Sequence, residues 1–593
     1  MPDLNVYFLP AGQSAAVPEG TTLLDAMRAT ALAPQAPCGG AGSCGQCRVI
    51  VDREYAPALT PPNSMELDRL SSEELDAGIR LACQARVLKP LRVTVPESCA
   101  PNHLRLQVEN SMDDAQAEMH SDKPYSFLHG VAPEDASLPG LPEGFRAVDL
   151  VGYAVSGPLC VGLHDAVPCW ALPEGLIPLG LAVDLGSTKI AAYLFDLNDG
   201  RQLASCGKAN PQARWGDDIM SRIAAVMQDP DNATRMTEEV RAAINALSVE
   251  LCAQAAHNGL SCSPDQIVEA VIVANTVMQH LFLGLDVTGL GHAPFTLSDD
   301  RPYDGPAAEA GLFLHPRAML FMPPPVAGFV GSDHLAMLLG ASLSRAQKPT
   351  LAVDIGTNTE VSLLGCGPIL TCSTASGPAF EGAHVSCGMR AGDGAIEGFS
   401  VEEGRLRCRV IGGSAPLGLC GSGVLDAMAC LRRVEALKPQ GSFSASHPLV
   451  RRGPAGPEAV LCAAEETRSG QDLVLRRKDI GAIQLAKGAI RTGIELLLEQ
   501  AGLPAEAVER VIIAGAFGTY LSLDSALEIG LFPRLPQERF RQVGNAAGQG
   551  AVLMLLYRAA RQEVLALPER MRHCELAAMP SFTEVYKQAM LLA

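Results

Sequence analysis

Basic charge is in short supply. The 593 residues hold 46 Lys and Arg against 65 Asp and Glu, a formal net charge of −19. That excludes a general nucleic-acid binder, which needs a basic footprint to displace phosphate counterions. Long apolar runs are missing too. The richest stretch, residues 270–285, is broken by Asn275, Gln279 and His280, well short of the ~20 apolar residues a bilayer demands. The first residues, Met1 to Asn5, carry neither the basic start nor the apolar stretch of a signal peptide. Cysteine is too sparse for a disulfide scaffold: 18 residues, about 3%. Scattered thiols in a reducing compartment behave as small buried hydrophobes, and that is the expectation for Cys252, Cys262, Cys366, Cys408, Cys430 and Cys462. Neither a Walker loop nor a G-x-G-x-x-G between strand and helix is found, which disfavours a pyridine-nucleotide reductase. The expectation is a soluble, cytoplasmic chain with no membrane and no nucleic-acid partner. At 48% apolar and 19% charged residues it has material for several cores, and a prior of ~150 residues per domain suggests roughly four units.

One group of cysteines breaks the pattern. Residues 37–47 read Pro-Cys-Gly-Gly-Ala-Gly-Ser-Cys-Gly-Gln-Cys, so Cys38, Cys44 and Cys47 are spaced C-x5-C-x2-C, and Cys83 follows in Arg-Leu-Ala-Cys-Gln. An iron–sulfur cluster needs thiolates that converge, and a glycine-rich loop lets the backbone curl round and aim its amides at the sulfurs. Plant-type ferredoxins use C-x4-C-x2-C with a distant fourth cysteine, and the spacing here is one residue longer, similar to adrenodoxin-like ferredoxins. The alternative is structural zinc, whose ligands usually come as two short pairs rather than a triplet and a singleton. Around the loop, residues 4–8, 15–17, 48–51 and 91–95 read as strands. Thr22 can cap a helix over 23–30 with Asp25 at its third position. This order resembles the β-grasp ferredoxin fold and assigns residues 1–95 to a 2Fe–2S module.

The next stretch says less. Residues 101–178 carry 11 acids and 3 bases. We expect a linker over 96–120 and a small α+β domain over 121–178, with strands in 145–153 and 166–172.

An internal repeat follows. Leu181-Ala-Val-Asp184-Leu-Gly186-Ser187-Thr188-Lys189 recurs as Leu351-Ala-Val-Asp354-Ile-Gly356-Thr357-Asn358-Thr359, 170 residues on, with five of the first six positions identical. Such a repeat indicates two related lobes, here 179–348 and 349–593. Each copy reads as a buried strand, Asp-x-Gly, and a hydroxyl-bearing turn into a second strand. After the first copy, Asn198-Asp199-Gly200 is a hairpin signal. The turns can approach phosphate oxygens, and the aspartates can hold Mg²⁺ through its waters. A third element, Val511-Ile-Ile-Ala-Gly515-Ala516-Phe517-Gly518, is a strand opening into small residues against which adenosine can lie. Together these pieces resemble the two-lobed fold of acetate and sugar kinases, heat-shock chaperones and actin.

A 2Fe–2S module fused to that fold resembles the reductive activators of corrinoid proteins. Further matching stretches are 216–222 (Gly-Asp-Asp-Ile-Met-Ser-Arg), 376–383 (Ser-Gly-Pro-Ala-Phe-Glu-Gly-Ala), 388–390, 418–423 and 483–491. The resemblance covers residues 1–95 and 180 onward. Some relatives carry additional C-terminal cysteine motifs for 4Fe–4S clusters, whereas here only Cys574 lies beyond Cys462, so one 2Fe–2S cluster is expected. The resemblance implies an ATP-hydrolysing enzyme that uses ATP with Mg²⁺ to return the Co(II) corrinoid of a methyl-carrier protein to Co(I). It also implies a low-potential electron donor and a homodimer formed through the ATPase domain. Cys38, Cys44, Cys47 and Cys83 would hold the cluster. Asp184 and Asp354 would hold Mg²⁺ waters or the attacking water. Gly186, Ser187, Thr188 and Lys189 would face one side of the phosphates and Gly356, Thr357 and Asn358 the other, with Gly515, Ala516, Phe517 and Gly518 along the adenosine. Asp217, Asp333, Glu381 and Arg390 could equally shape loops, and Lys487 and Arg491 read as a solvated helix stripe. Two rivals stand beside this reading: a cluster-bearing small-molecule kinase, and a nucleotide-switched redox sensor without catalysis.

Overall fold

The computed structural model describes residues 3–9, 13–30, 40, 42, 45, 47–95, 123–141, 143–164, 166–216, 218–257, 259–382, 385–402 and 405–592. The N-terminal unit is a five-stranded sheet of order β2-β1-β5-β3-β4, made by β1 (Leu4–Leu9), β2 (Gln13–Val17), β3 (Arg48–Ile50), β4 (Ile79–Leu81) and β5 (Leu91–Thr94). In β1 the alternation sends Val6 and Phe8 into the core while Asn5 and Tyr7 face out. Helix α1 (Leu23–Arg28) starts where Thr22 accepts the Asp25 amide at 3.1 Å. Helices α2 (Ser64–Arg69) and α3 (Ser72–Asp76) each begin with a capping box, Asn63/Glu66 and Ser71/Glu74. Glu66 is fully buried. Its carboxylate takes Arg80 Nε and Nη2 at 2.8 Å each and the Leu81 amide at 3.0 Å, a bidentate clamp that pins β4 to α2.

The middle unit is an antiparallel sheet of β6 (Ser126–Val131), β7 (Leu159–His164) and β8 (Val167–Pro173). The strand expected within 145–153 is absent. Ala147–Leu150 is instead a 3₁₀ turn, closed by the Arg146 amide on the Asp149 carboxylate at 2.8 Å, a local side-chain bond that outcompetes a ladder. Trp170 of β8 is fully buried between Tyr125 and Phe127, at centroid distances of 5.7 and 5.9 Å. The Tyr125 hydroxyl donates to Glu269, whose other oxygen accepts from Arg561 at 2.5 Å.

Lobe one is a six-stranded sheet of order β11-β10-β9-β12-β14-β13, with β9 (Leu179–Leu185), β10 (Lys189–Asp196), β11 (Gln202–Ala209), β12 (Ile267–Ala274), β13 (Tyr303–Pro306) and β14 (Met319–Met322). Strands β9 to β11 form an antiparallel meander and β12 runs parallel beside β9. Every residue of β12 is buried, as a strand covered on both faces requires. One face is covered by α5 (Asp231–His257) and α6 (Thr276–Leu283), the other by α7 (Ser332–Gly340) and residues 546–556, while α4 (Ile219–Gln228) packs outside on α5 and α6. Helix α5 buries Met236, Val240, Ile244, Leu247 and Leu251, a 3.6-residue stripe.

Lobe two repeats the plan. Its main sheet has the antiparallel meander β15 (Thr350–Ile355), β16 (Thr359–Leu364) and β17 (Ile369–Thr374). Two small sheets follow, one of β18 (Ala395–Glu402), β19 (Arg405–Val410) and β20 (Gly418–Leu419), the other of β21 (Val450–Gly453), β22 (Gly456–Cys462) and β23 (Leu473–Arg476). Helices α8 (Gly421–Arg433) and α9 (Arg477–Ala501) lead to β24 (Arg510–Ala514), which lies parallel to β15 as β12 does to β9. Then come α10 (Ala516–Tyr520), α11 (Leu523–Glu528), β25 (Phe540–Gly544), α12 (Ala546–Leu556), α13 (Arg558–Ala566), β26 (Met571–His573) and α14 (Phe582–Ala589).

Helices α7 and α12 share one core with residues of both main sheets. They touch backbone to backbone: a Cβ added at Gly340 would lie 2.1 Å from the Ala546 carbonyl oxygen, and one at Gly550 would lie 2.0 Å from that of Ala336. The stripe expectation for Lys487 is overturned. The residue is 1% exposed, and its Nζ donates to the carbonyls of Ile529, Gly530 and Leu591 at 2.9, 3.3 and 2.6 Å. Arg491 does reach the surface, paired with Glu495 at 2.6 Å. Among the scattered cysteines, Cys252, Cys430 and Cys462 are buried as expected, Cys262 and Cys408 are half-buried, and Cys366 is exposed in the β16–β17 turn. Among the described residues no helix is long and apolar enough to cross a membrane.

Candidate functional site: a cysteine loop and an acidic interlobe cleft

Two places gather chemistry. In the N-terminal unit, Cys47 precedes β3 and Cys83 follows β4. The antiparallel pairing of Arg48 with Leu81, with the Ala82 amide on the Cys47 carbonyl at 2.7 Å, brings the two thiols to the same end of the sheet. Both are buried, at 1% and 6% exposure. Gln84 ties this end to the glycine loop, its Nε2 donating to the Gly40 carbonyl at 2.9 Å and to Cys83 Sγ at 3.4 Å. Gly40, Gly42 and Gly45 all take positive φ, so the loop turns at positions where side chains are disfavoured. Cys38 and Cys44 lie outside the described residues. Two buried thiols beside a loop of left-handed glycines fit a thiolate-ligated cluster. The Glu66–Arg80 clamp, which carried no motif, is what sets β4 and hence Cys83.

The second place is the cleft between the lobes, about 1700 Å³ counted out to its open mouth. The repeat supplies its floor. The β9–β10 turn brings Gly186, Ser187, Thr188 and Lys189, and the β15–β16 turn brings Gly356, Thr357 and Asn358. The turns meet: Thr188 Oγ1 and Thr357 Oγ1 are 3.2 Å apart. Arg222, fully buried, holds the first turn from behind by donating to the carbonyls of Ser187 and Gly216. The third motif adds Gly515 and Phe517. A Cβ at Gly515 would lie 2.4 Å from the Ile355 carbonyl oxygen and 3.0 Å from Asp354 Oδ1, so glycine lets α10 start against the second turn. Phe517 stacks on Phe380 at 5.0 Å and 23°. Gly518, within α10, is buried and packed close to Ile513. Ala516 opens α10.

Five acidic residues line this space: Asp184, Asp333, Asp354 and Glu360, and Glu397, which pairs with Arg409 at 3.1 Å. Burial pushes Asp184 up to about 6. Burial, then the Asp184 charge, pushes Asp354 to about 7, and burial with both neighbours pushes Asp333 to about 8. Glu360 is raised well above the ordinary carboxylate range, by burial first and then by Asp333 and Asp354. Dry, mutually repelling carboxyls of this kind mark a site awaiting a positive charge. Among the described residues no three His, Cys, Asp or Glu side chains converge closely enough to ligate a metal directly. Helix α8 begins at the cleft with Gly421 and Ser422, α7 with Asp333 in its first turn, and α12 behind its cap Asn545. Helix N-termini direct amides and partial positive charge at anions. The cleft thus pairs anion-seeking backbone with cation-seeking carboxyls, the two demands of a metal-bound polyphosphate.

Arg390 lines the cleft too. Asp217 and the side chain of Glu381 lie outside what the structure describes. The sequence reading left Asp333 undecided and missed Glu360 and Asn545. Glu360 carried one faint signal, an acid one residue into the strand after the second turn.

The comparisons agree with this architecture. A family model for the 2Fe-2S iron-sulfur cluster binding domain matches residues 6–88, one for the RACo middle region matches 179–346, and one for the C-terminal domain of RACo, the ASKHA domain, matches 348–593. The corrinoid activation enzyme RamQ of Eubacterium limosum is 36% identical over 416 residues, 69% of each chain. The [Co(II) methylated amine-specific corrinoid protein] reductase of Methanosarcina barkeri is 24% identical over 447 residues, 69% of this chain and 76% of that one. A solved structure of a reductive activator for corrinoid, iron-sulfur protein superposes over 100% of this chain and 98% of its own, at 30% identity and a TM-score of 0.70. With a ferredoxin module, a small middle sheet and a two-lobed actin-like ATPase fold in one chain, this protein belongs to the RACo family of corrinoid-protein activators.

Proposed function

We propose that this chain is an ATP-driven reductive activator that passes one electron from its 2Fe–2S cluster to the inactive Co(II) corrinoid of a methyl-carrier protein and regenerates Co(I). The observation that carries the reading is the 36% identity to a corrinoid activation enzyme over 69% of both chains, in a molecule that joins a buried-thiol glycine loop to an acidic interlobe cleft. The cluster, when bound, supplies a one-electron carrier near −400 mV if it resembles plant-type ferredoxins. A cobalt couple ~100 mV lower leaves an equilibrium deficit of roughly 50-fold for one electron, which nucleotide binding and hydrolysis in the cleft can offset.

The residues divide the work. Cys38, Cys44, Cys47 and Cys83 hold the cluster in a module of residues 1–95, ahead of a linker over 96–120 and a middle domain over 121–178. Lobes 179–348 and 349–593 bind ATP between them. Asp184 and Asp354 hold Mg²⁺ through its water shell, as suits an ion that keeps several waters. The hydroxyls and amides of residues 186–189 and 356–358 grip the phosphates, and residues 515–518 lie along adenosine. A low-potential donor reloads the cluster, a second copy pairs through the ATPase lobes, and the cytoplasm is the compartment in which thiolates stay reduced.

The test mixes the cluster-loaded protein with reductant, MgATP and a Co(II) corrinoid protein, and follows the Co(I) absorption band. Co(I) should form with ATP and fall sharply without it at matched reductant potential. Asp354→Ala should keep the cluster spectrum and lose the ATP-dependent Co(I). Equal Co(I) yields with and without ATP would end the proposal.

A further inference from the structure

Behind Asp184 lies a polar arrangement that the nucleotide motifs do not include. Asn545 caps α12: its Oδ1 accepts the Gly548 amide at 2.9 Å. That bond fixes the orientation of the side-chain amide, because the oxygen must face the helix amide and the nitrogen must face away. The nitrogen donates to the Tyr193 hydroxyl at 3.2 Å, and the amide lines the cleft together with Asp184, close enough to hold that carboxyl's pKa below where burial alone would put it. The oxygen is used by the helix and the nitrogen by the phenol on the Asp184 side of the sheet.

Two independent features keep the amide in place. Tyr193 is fully buried on β10 and stands on the same sheet face as Asp184, since Tyr193 pairs with Ala182 and Asp184 with Ala191. Residue 548 is glycine, and a Cβ there would lie 2.8 Å from Asn545 Nδ2 and 2.9 Å from the Tyr193 hydroxyl. The helix gives up a side chain at this point, and the space is occupied by the amide and the phenol.

We propose that Asn545 is a positioning residue for the ATPase step: its amide orients the Asp184 carboxylate in the cleft and registers it against α12, the helix packed backbone to backbone on α7. Tyr193 and Gly548 hold Asn545 in that pose. The inference rests on the nucleotide reading of this cleft. Asn545 makes no claim on the phosphates themselves; it acts through Asp184, so its loss should slow turnover more than it weakens nucleotide binding.

The experiment uses the full-length, cluster-loaded protein and its Asn545→Asp, Tyr193→Phe and doubly substituted variants. Calorimetric affinity for the magnesium complex of a non-hydrolysable ATP analogue, kcat and KM for ATP hydrolysis, and thermal unfolding are measured for each. Asn545→Asp keeps a cap acceptor for Gly548 and removes both donors. It should melt close to the wild type and hold analogue affinity within about threefold, while kcat falls roughly 10- to 100-fold, the scale of a misplaced catalytic group. Tyr193→Phe should fall in the same direction by less, with Asn545 left one partner short. The double variant should be no slower than Asn545→Asp alone, because both changes act through one amide. Wild-type kcat in Asn545→Asp, or losses that multiply in the double variant, would overturn the inference alone. Failure of the wild-type protein to bind the analogue would overturn the nucleotide reading and this inference with it.

Discussion

The contact between α7 and α12 permits a prediction with a worked magnitude. Gly550→Ala would set a methyl 2.0 Å from the Ala336 carbonyl oxygen and 2.6 Å from its carbonyl carbon. Ordinary contact begins near 3.4 Å, so the helices must part by 3.4 − 2.0, about 1.4 Å. Backbone faces backbone here, so no rotamer can yield. Overpacking of this kind costs typically 1–3 kcal/mol, and the upper end applies. Replacing a helical glycine with alanine returns up to about 1 kcal/mol through propensity, leaving a net loss of about 2 kcal/mol. At 2–4 °C per kcal/mol for a large domain, Tm should drop by roughly 4–8 °C. Gly481→Ala in α9 is the control: its methyl would meet nothing nearer than Arg477 Nη1 at 3.6 Å, so propensity alone should stabilise it by about 0.5–1 kcal/mol. The assay is thermal unfolding by circular dichroism on the full-length protein, with and without MgATP. Because α7 and α12 both start at the cleft, Gly550→Ala should also bind MgATP more weakly. If Gly550→Ala melts at or above the wild type while Gly481→Ala is stabilised, the close-approach argument is wrong.

Other outcomes are expected from the same geometry. Cys83→Ser should lose or disorder the cluster, read as lost visible absorption and two-iron content, while MgATP affinity stays near wild type, because Cys83 sits in the core of the ferredoxin sheet; intact two-iron content would remove Cys83 from the ligand set. Lys487→Met leaves two buried carbonyls and one part-buried carbonyl without their donor, which should cost about 2–3 kcal/mol in urea unfolding and expose the C-terminal segment to carboxypeptidase; an equally stable variant would show that the ammonium adds nothing there. The cleft carboxyls have folded pKa values of about 6, 7 and 8 for Asp184, Asp354 and Asp333, against an ordinary 3.8. Raised carboxyls mean that the native state holds more protons than the unfolded chain between pH ~4 and ~8, so the nucleotide-free protein should lose stability as pH rises through that window. Binding of Mg²⁺ with nucleotide favours the ionised forms and should release protons at pH 7, seen by calorimetry as a heat that depends on the buffer's ionisation enthalpy; a buffer-independent heat would contradict the assignment.

Much of this architecture can be read from the chain because its signals are local. Asp-x-Gly between two strands occurs twice at a fixed offset, and the Thr22–Asp25 cap and the cysteine spacing each lie within a dozen residues. The fold then joins pieces that no local pattern links. Asp333 at the start of α7, Glu360 in β16 and Asn545 at the cap of α12 converge on Asp184 only because two parallel-paired strands, β14 beside β12 and β25 beside β24, feed α7 and α12 into one crevice. Lys487 misleads for a related reason. A 3.6-residue period identifies a face, but whether that face meets water depends on the Ile529–Gly530 turn and the C-terminal segment, which come 40 and 100 residues later. The missed 3₁₀ turn at 147–150 is a local failure, since one Asp three residues after Arg146 captures the backbone amide.

The Tyr125–Glu269–Arg561 contact bears on how such a chain can be cut and spliced. A fragment starting at residue 179 would look like a whole ATPase, yet it would strip the phenol from a carboxylate that is 1% exposed near the start of β12 and bare the apolar wall that Trp170 covers. The practical seam for exchanging electron-carrying modules is therefore upstream of Lys123, with the small sheet travelling as part of the engine rather than with the ferredoxin. Chimeras joined there should keep a sealed lobe one, and chimeras joined at 178 should precipitate.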